Sequence, residues 1–213
     1  MTRMPSRVRA RLVGTRPLFF LVPVATVLAL VAGCATTGDD AVAKNGTGDF
    51  TFVSPGGQTR LFYAPNQRGR VSGLTGENLL QPGKQVSLAD FPNQVVVINL
   101  WGSWCGPCRA EADGLQDVQS KTAAQGVTLL GIDERDSRQA ATDFHQDRRL
   151  TYPSIYDPSG RTLLALQNYP RSTIPSTIVL DRQHRVAAIY LTEVLESDLL
   201  PEVQKVAAEP NTP

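Results

Sequence analysis

Two cysteines three positions apart, Cys105 and Cys108, enclose Gly106 and Pro107. A pair at this spacing can close a small disulfide or open to a dithiol. It follows Val95 to Leu100, six β-branched or apolar residues bounded by polar residues before them and by Gly102 after, which suits a strand buried on both faces. A helix is expected to begin at the pair, because Pro107 costs little in a first turn whose N–H would be unpaired anyway. The free amides and aligned peptide dipoles leave partial positive charge at that end, so a sulfur there is favoured as thiolate. A free cysteine titrates near ~8.5, and in such motifs the value falls to about 7 or lower, a gain of roughly 2 kcal/mol for the thiolate. Cys105, read as the more exposed member, is the expected nucleophile, and Cys108 the partner that closes the redox-active disulfide.

The same spacing is also half a zinc site. Zinc takes four ligands, and the chain offers besides only Cys34, His145 and His184, distant in sequence and none paired at ligand spacing. Redox chemistry is therefore expected, with no metal and no cofactor. Both histidines stand in polar surroundings and read as surface residues. Trp101 reads as core packing, and Trp104, beside the nucleophile, as part of a docking surface.

Trp101, Trp104-Cys105-Gly106-Pro107-Cys108 and Glu111 resemble the active-site segment of the thioredoxin superfamily. The nearer likeness is to its membrane-anchored TlpA/ResA-like branch, the cytochrome c maturation type that includes CcsX-like lipoproteins, from about Val71 to the C-terminal helix. The resemblance implies a cis peptide at Ile174-Pro175, a bond that is cis in only about 5–6% of X-Pro cases by default. The Ile174 backbone would then pair with an incoming extended peptide, beside Trp104, Gly106 and Pro107. It also implies a role for Glu111 in tuning the cysteines and moving a proton, although an acid near a helix start is favourable in any case. Thioredoxin has a buried aspartate where this chain has Asn99, and an amide cannot titrate, which leaves Glu111 or water as the base. Two departures stand out. Asp113-Gly114 replaces the proline usual after the glutamate, putting the expected helix kink in doubt, and Gln183-His184 replaces the usual Asp-Gly of the last hairpin.

With 213 residues and 41% hydrophobic content the chain suits one buried domain plus a leader. Arg3, Arg7, Arg9, Arg11 and Arg16 precede Cys34 with no acid among them, so from Cys34 onward 16 Lys and Arg face 20 Asp and Glu, a balance of −4. That offers no basic footprint for nucleic acid. The arginines lead into a 14-residue apolar run, Leu18 to Val31. At 1.5 Å per residue it covers about 21 Å, short of a hydrocarbon core near 30 Å. Residues 1–33 therefore read as a secretory signal for the general route, not a spanning helix. Val31-Ala32-Gly33-Cys34 resembles a bacterial lipobox, which implies lipidation of Cys34 and placement on the outer face of the cytoplasmic membrane. Lipidation also leaves a single cysteine pair.

The elements that must position the site follow in order. Residues 34–49 are small and polar and read as a disordered tether. Residues 50–208 read as an α/β domain of thioredoxin-like fold, a mixed central β-sheet flanked by helices with an N-terminal β-hairpin extension. Phe50–Val53 and Arg60–Ala64 around Ser54-Pro55-Gly56-Gly57 read as a first hairpin, and Val71–Leu80 with Lys84–Leu88 as a second. Ala112, Leu115, Val118 and Thr122 keep helical spacing up to a stop at Gly126. Val127–Ile132 is a buried strand, Ser137 caps a helix, and a short helix covers Arg161–Gln167. Ser176–Leu180 and Val186–Leu191 form a last hairpin, a helix carries Leu199, Val203 and Val206, and residues 209–213 read as a disordered tail.

The expected activity is extracytoplasmic thiol–disulfide exchange, in the reducing direction because Gly-Pro between the cysteines matches reducing thioredoxin, near −270 mV, and not DsbA, near −120 mV. The resemblance implies an integral membrane electron donor of the CcdA/DsbD type and a disulfide-containing exported client such as apocytochrome c. The rivals are an oxidase or isomerase using the same cysteines, a thiol peroxidase of the same fold, and a binding lipoprotein without enzymatic activity. The peroxidase pattern is incomplete, since no threonine lies three residues before either cysteine.

Overall fold

A computed structural model describes residues 42–44, 47–53 and 56–211. The segment read as a secretory leader, Cys34 and most of the segment read as a tether lie outside the described residues. The strands and helices run, in chain order, β1 (Val42–Lys44), β2 (Phe50–Phe52), β3 (Arg60–Phe62), β4 (Thr75–Asn78), β5 (Gln85–Ser87), β6 (Val95–Trp101), α1 (Gly106–Thr122), β7 (Val127–Glu134), α2 (Arg138–Asp147), β8 (Ser154–Asp157), β9 (Ser176–Leu180), β10 (Val186–Tyr190) and α3 (Glu196–Ala207).

Eight strands form one mixed sheet in the order β3-β10-β9-β6-β7-β8-β4-β5. β6, β7 and β8 are parallel; on one side β9 pairs antiparallel with β6 and β10 antiparallel with β9, and on the other β4 pairs antiparallel with β8 and β5 antiparallel with β4. Every residue of β6 is buried, as a central strand covered on both faces must be. On one face Ala112, Leu115 and Val118 of α1 and Leu199, Val203 and Val206 of α3 pack on Val95, Val97 and Val179. On the other, Phe50, Phe52, Leu74 and Leu163 cover Ile98, Leu100, Ile132 and Ile178. The second face is thus closed by the segment that precedes the β4–β5 hairpin and by a short 3-10 turn at Thr162–Ala165. No helix among the described residues is long and apolar enough to cross a membrane.

Several expectations need correction. The first hairpin does not form: β2 pairs with β1, while β3 pairs with β10 at the edge of the main sheet. The amides of Phe50 and Phe52 are taken by the carbonyls of Arg70 and Gln167, so non-local partners outcompete the local turn. The segment read as a tether accordingly holds a strand, β1, and turns through Gly48 at φ 83° into β2. The tail is tied down at its start, because both carboxylate oxygens of Glu209 accept from the buried Arg68 guanidinium, at 2.6 and 2.7 Å. His145 is buried, with Nε2 3.0 Å from the Tyr152 carbonyl, and burial lowers its pKa. In keeping with the loss of the usual proline, α1 runs unbroken through Asp113-Gly114, where Gly114 faces the backbone of Glu196 on α3. The last hairpin turns with His184 at φ 56°, and Asp181 Oδ1 accepts from the amides of Gln183 and Arg185, standing in for the expected Asp-Gly.

Candidate active site

β6 delivers the chain to the site and α1 receives it. Gly131 has no Cβ to collide with Ser154, and that space lets the Trp101 indole donate to Ser154 Oγ at 2.9 Å across β7. At Gly102 a Cβ would run into the Trp104 ring. The turn between them therefore requires glycine, and it brings Cys105 to the N-cap of α1. There the Cys105 sulfur accepts from the Cys108 amide at 3.2 Å, the contact that would stabilise a thiolate. No acid occupies the first turn of α1 to offset the positive end.

Cys105 and Cys108 are joined as a disulfide. The expected difference in exposure is absent in this oxidised form: Cys105 is 4% exposed and Cys108 3%. Trp101, Leu79 and Ala141 pack against the pair, with Phe144, Tyr156 and Ile174 partly buried on it. Access comes from the rim, since Gly106 and Pro107 are exposed and Trp104 is 50% exposed. The Trp104 indole N–H is held by the Glu134 carbonyl at 3.0 Å.

Ile174–Pro175 is cis, and Ile174 packs against the cysteine cluster. Register explains the approach, because Ser176 and Thr177 of β9 lie opposite Leu100 and Asn99 of β6. The main chain of Ile174 makes no hydrogen bond among the described residues.

Glu111 lies one turn beyond Cys108 and is buried. Oε1 accepts from Asn99 Nδ2 at 2.8 Å, and Oε2 from the Val194 amide at 3.0 Å. Asn99 Nδ2 also donates to Thr177 Oγ1 at 3.1 Å. Burial pushes the Glu111 carboxyl up to about 7, partly opposed by the Val194 and Asn99 donors and supported by Glu193. Asn99, which cannot titrate, instead fixes the group that can.

Sequence reasoning missed two further carboxyls. β7 runs on past Ile132, so Asp133 and Glu134 are buried, and Asp133 lies opposite Trp101. Burial, reinforced by Asp136, pushes Asp133 up to about 8. Burial and Asp157 push Glu134 up to about 7, against the pull of Arg135 and Arg171. Neither Asp133 oxygen nor Glu134 Oε1 has a hydrogen-bond partner among the described residues. No local signal in Ile132-Asp133-Glu134-Arg135 marks acids that only long-range neighbours bury. Among the described residues no group of three His, Cys, Asp or Glu side chains could hold a metal ion.

A disulfide at the start of a helix, a cis-proline loop against it and a buried acid one turn on define a thiol–disulfide oxidoreductase of thioredoxin fold. Residues 72–189 match the AhpC/TSA family, and the chain belongs to it. It is similar in structure to a secreted thiol-disulfide isomerase from Corynebacterium glutamicum, with TM-score 0.74 and 46% identity over 76% of this chain and 99% of that one. It is 30% identical over 134 residues to the thiol:disulfide interchange protein DsbE of Pseudomonas aeruginosa, covering 61% of this chain and 71% of the relative. Against the thiol-disulfide oxidoreductase ResA of Bacillus thuringiensis subsp. konkukian it is 25% identical over 124 residues, 58% of this chain and 70% of the relative.

Proposed function

We propose that the chain reduces disulfides in exported proteins, with Cys105 as nucleophile, Cys108 as resolving thiol and Glu111 as the proton acceptor. The observation that carries the choice of Cys105 is the Cys108 amide directed at its sulfur, and the reducing direction follows the Gly-Pro pair between the cysteines. In the reduced chain the Cys105 thiolate attacks one sulfur of the client disulfide, and the other client sulfur leaves as a thiolate and takes a proton. Cys108 then passes its proton to the Glu111 carboxylate and attacks the Cys105 sulfur. The second client thiolate leaves, the Cys105–Cys108 disulfide reforms, and two electrons have moved to the client. Trp104, Gly106 and Pro107 form the exposed rim, and the unpaired Ile174 main chain can accept an extended client segment as an added strand.

Recharging such a dithiol outside the cytoplasm calls for an integral membrane donor, of the CcdA/DsbD type by resemblance, with apocytochrome c as client. Cys34 would carry the lipid that holds the domain at the outer face of the membrane. Residues 1–33 would be removed on export. A second reading, isomerase, draws support from the likeness to the secreted thiol-disulfide isomerase of Corynebacterium glutamicum. Trapping with Cys108→Ser tests the reductase reading: mixed disulfides on Cys105 with exported proteins support it. No trapped client, together with a measured potential above about −200 mV, assigns the chain to oxidation or isomerisation instead.

A further inference from the structure

Two segments that adjoin the disulfide's surroundings, the end of β7 and the loop before Pro175, each carry an exposed arginine. Arg135 leaves β7 at φ 53°, a left-handed backbone that residues other than glycine rarely adopt. In that conformation its guanidinium lies 4.9 Å from the centre of the Trp104 ring, beside the nucleophile. Arg171 is exposed in the loop that ends at cis Pro175. Both cations pull down the pKa of the Glu134 carboxyl at the end of β7.

Neither guanidinium forms an ion pair or a hydrogen bond among the described residues. Elsewhere Arg60, Arg68, Arg138, Arg148 and Arg185 each hold a carboxylate within bonding distance. None of the nearby acids bonds either guanidinium. Glu134 is buried, Glu111 is held by Asn99 and Val194, and Asp136 caps the amides of Ser103 and Ser137. Glu193 is half-buried next to Val194. One unpaired arginine thus lies over the ring of Trp104, next to Cys105 in the chain, and another stands in the loop that leads to cis Pro175, in a chain whose balance from Cys34 onward is −4.

We propose that Trp104, Arg135 and Arg171 form a recognition surface for client segments that carry Asp or Glu within a few residues of the disulfide. Arginine presents a planar fork to carboxylates. Such pairing steers encounter and repels basic flanks, so it sets client choice more than the rate of the sulfur chemistry. This deepens the exchange reading and rests on it.

The test uses the reduced full-length chain and two disulfide peptides of equal length that differ only in having Asp or Lys beside the cystine. The acidic peptide is expected to be reduced about tenfold faster at low ionic strength, with the ratio falling toward one in 0.5 M salt. In the Arg135→Asn/Arg171→Gln variant the ratio is expected near one at low salt as well. Asn tolerates the left-handed backbone at 135, and a ratio within one protein cancels any general loss of activity. Equal rates in the wild type, or a ratio unchanged in the variant, would overturn the proposal. If neither peptide is reduced, exchange itself has failed. The surface is then judged by equilibrium binding of the same peptides with serine for cysteine, where equal affinities overturn it and tighter binding of the acidic form sustains it.

Discussion

The Cys105 sulfur accepts from the Cys108 amide because the two stand three positions apart at the start of a helix, a spacing legible in the sequence, as was the cis-proline position through its resemblance to known proteins. Glu111 was legible as a candidate, but its environment was not. Its carboxyl is gripped by Asn99 from β6 and by the Val194 amide that follows β10, 12 and 83 residues away along the chain. A carboxyl held near 7 can take the Cys108 proton at working pH, as a base is most effective when its pKa lies near that pH. Glu111→Gln is expected to slow resolution of the mixed disulfide by about 10- to 100-fold, at the low end of general-base effects. The first attack by Cys105 should be far less affected. Stopped-flow tryptophan fluorescence on a model disulfide separates the two steps. Equal slowing of both, or of neither, would remove Glu111 from the proton path.

At the scale of elements, the order of strands and helices from β4 onward follows from local patterns, with one omission. β8 has four residues, Ser-Ile-Tyr-Asp, too short and too polar to announce a strand, and it forms because β7 and β4 offer open edges on either side. The β1–β2 pair was misread for the opposite reason, since a strong turn signal at Gly56-Gly57 was overridden by distant carbonyls. The β6–α1 junction is the element on which the chemistry depends, and two glycines keep it tight. Gly131→Ala would force a methyl against Ser154 and the Trp101 indole nitrogen. Overpacking of this kind costs about 1–3 kcal/mol. The expected readouts are a lower denaturation midpoint and an altered Trp101 emission, with secondary structure retained. An unchanged midpoint would mean that β7 can shift without consequence for the site.

Over the whole molecule, the buried acids Glu111, Asp133 and Glu134 make stability depend on pH in an unusual direction. Each has its pKa raised by folding, to about 7, 8 and 7 respectively, so the folded chain holds protons that the unfolded chain releases. Their contribution is complete below the ordinary carboxyl range and is lost as pH rises through 7 to 8. His145 works in the opposite sense, because its lowered pKa costs stability only as pH falls below 6.5. Between pH 6.5 and 8 the carboxyls therefore decide, and each can contribute a slope of up to about 1.4 kcal/mol per pH unit while it remains protonated only in the fold. The urea midpoint of the oxidised chain should be lower at pH 8 than at pH 6.5, with a smaller drop in Glu111→Gln. A midpoint that rises over this interval would show that these acids are ionised in the fold.

The most direct measurement follows the rate at which iodoacetamide modifies each cysteine of the reduced full-length chain between pH 5 and 10, read by mass spectrometry. The account predicts that Cys105 reacts first, with an apparent pKa near 7, well below the ~8.5 of a free thiol, while Cys108 lags behind it. If both sulfurs resist the reagent at neutral pH, or if Cys108 reacts ahead of Cys105, the assignment of Cys105 as the exchanging thiolate is wrong.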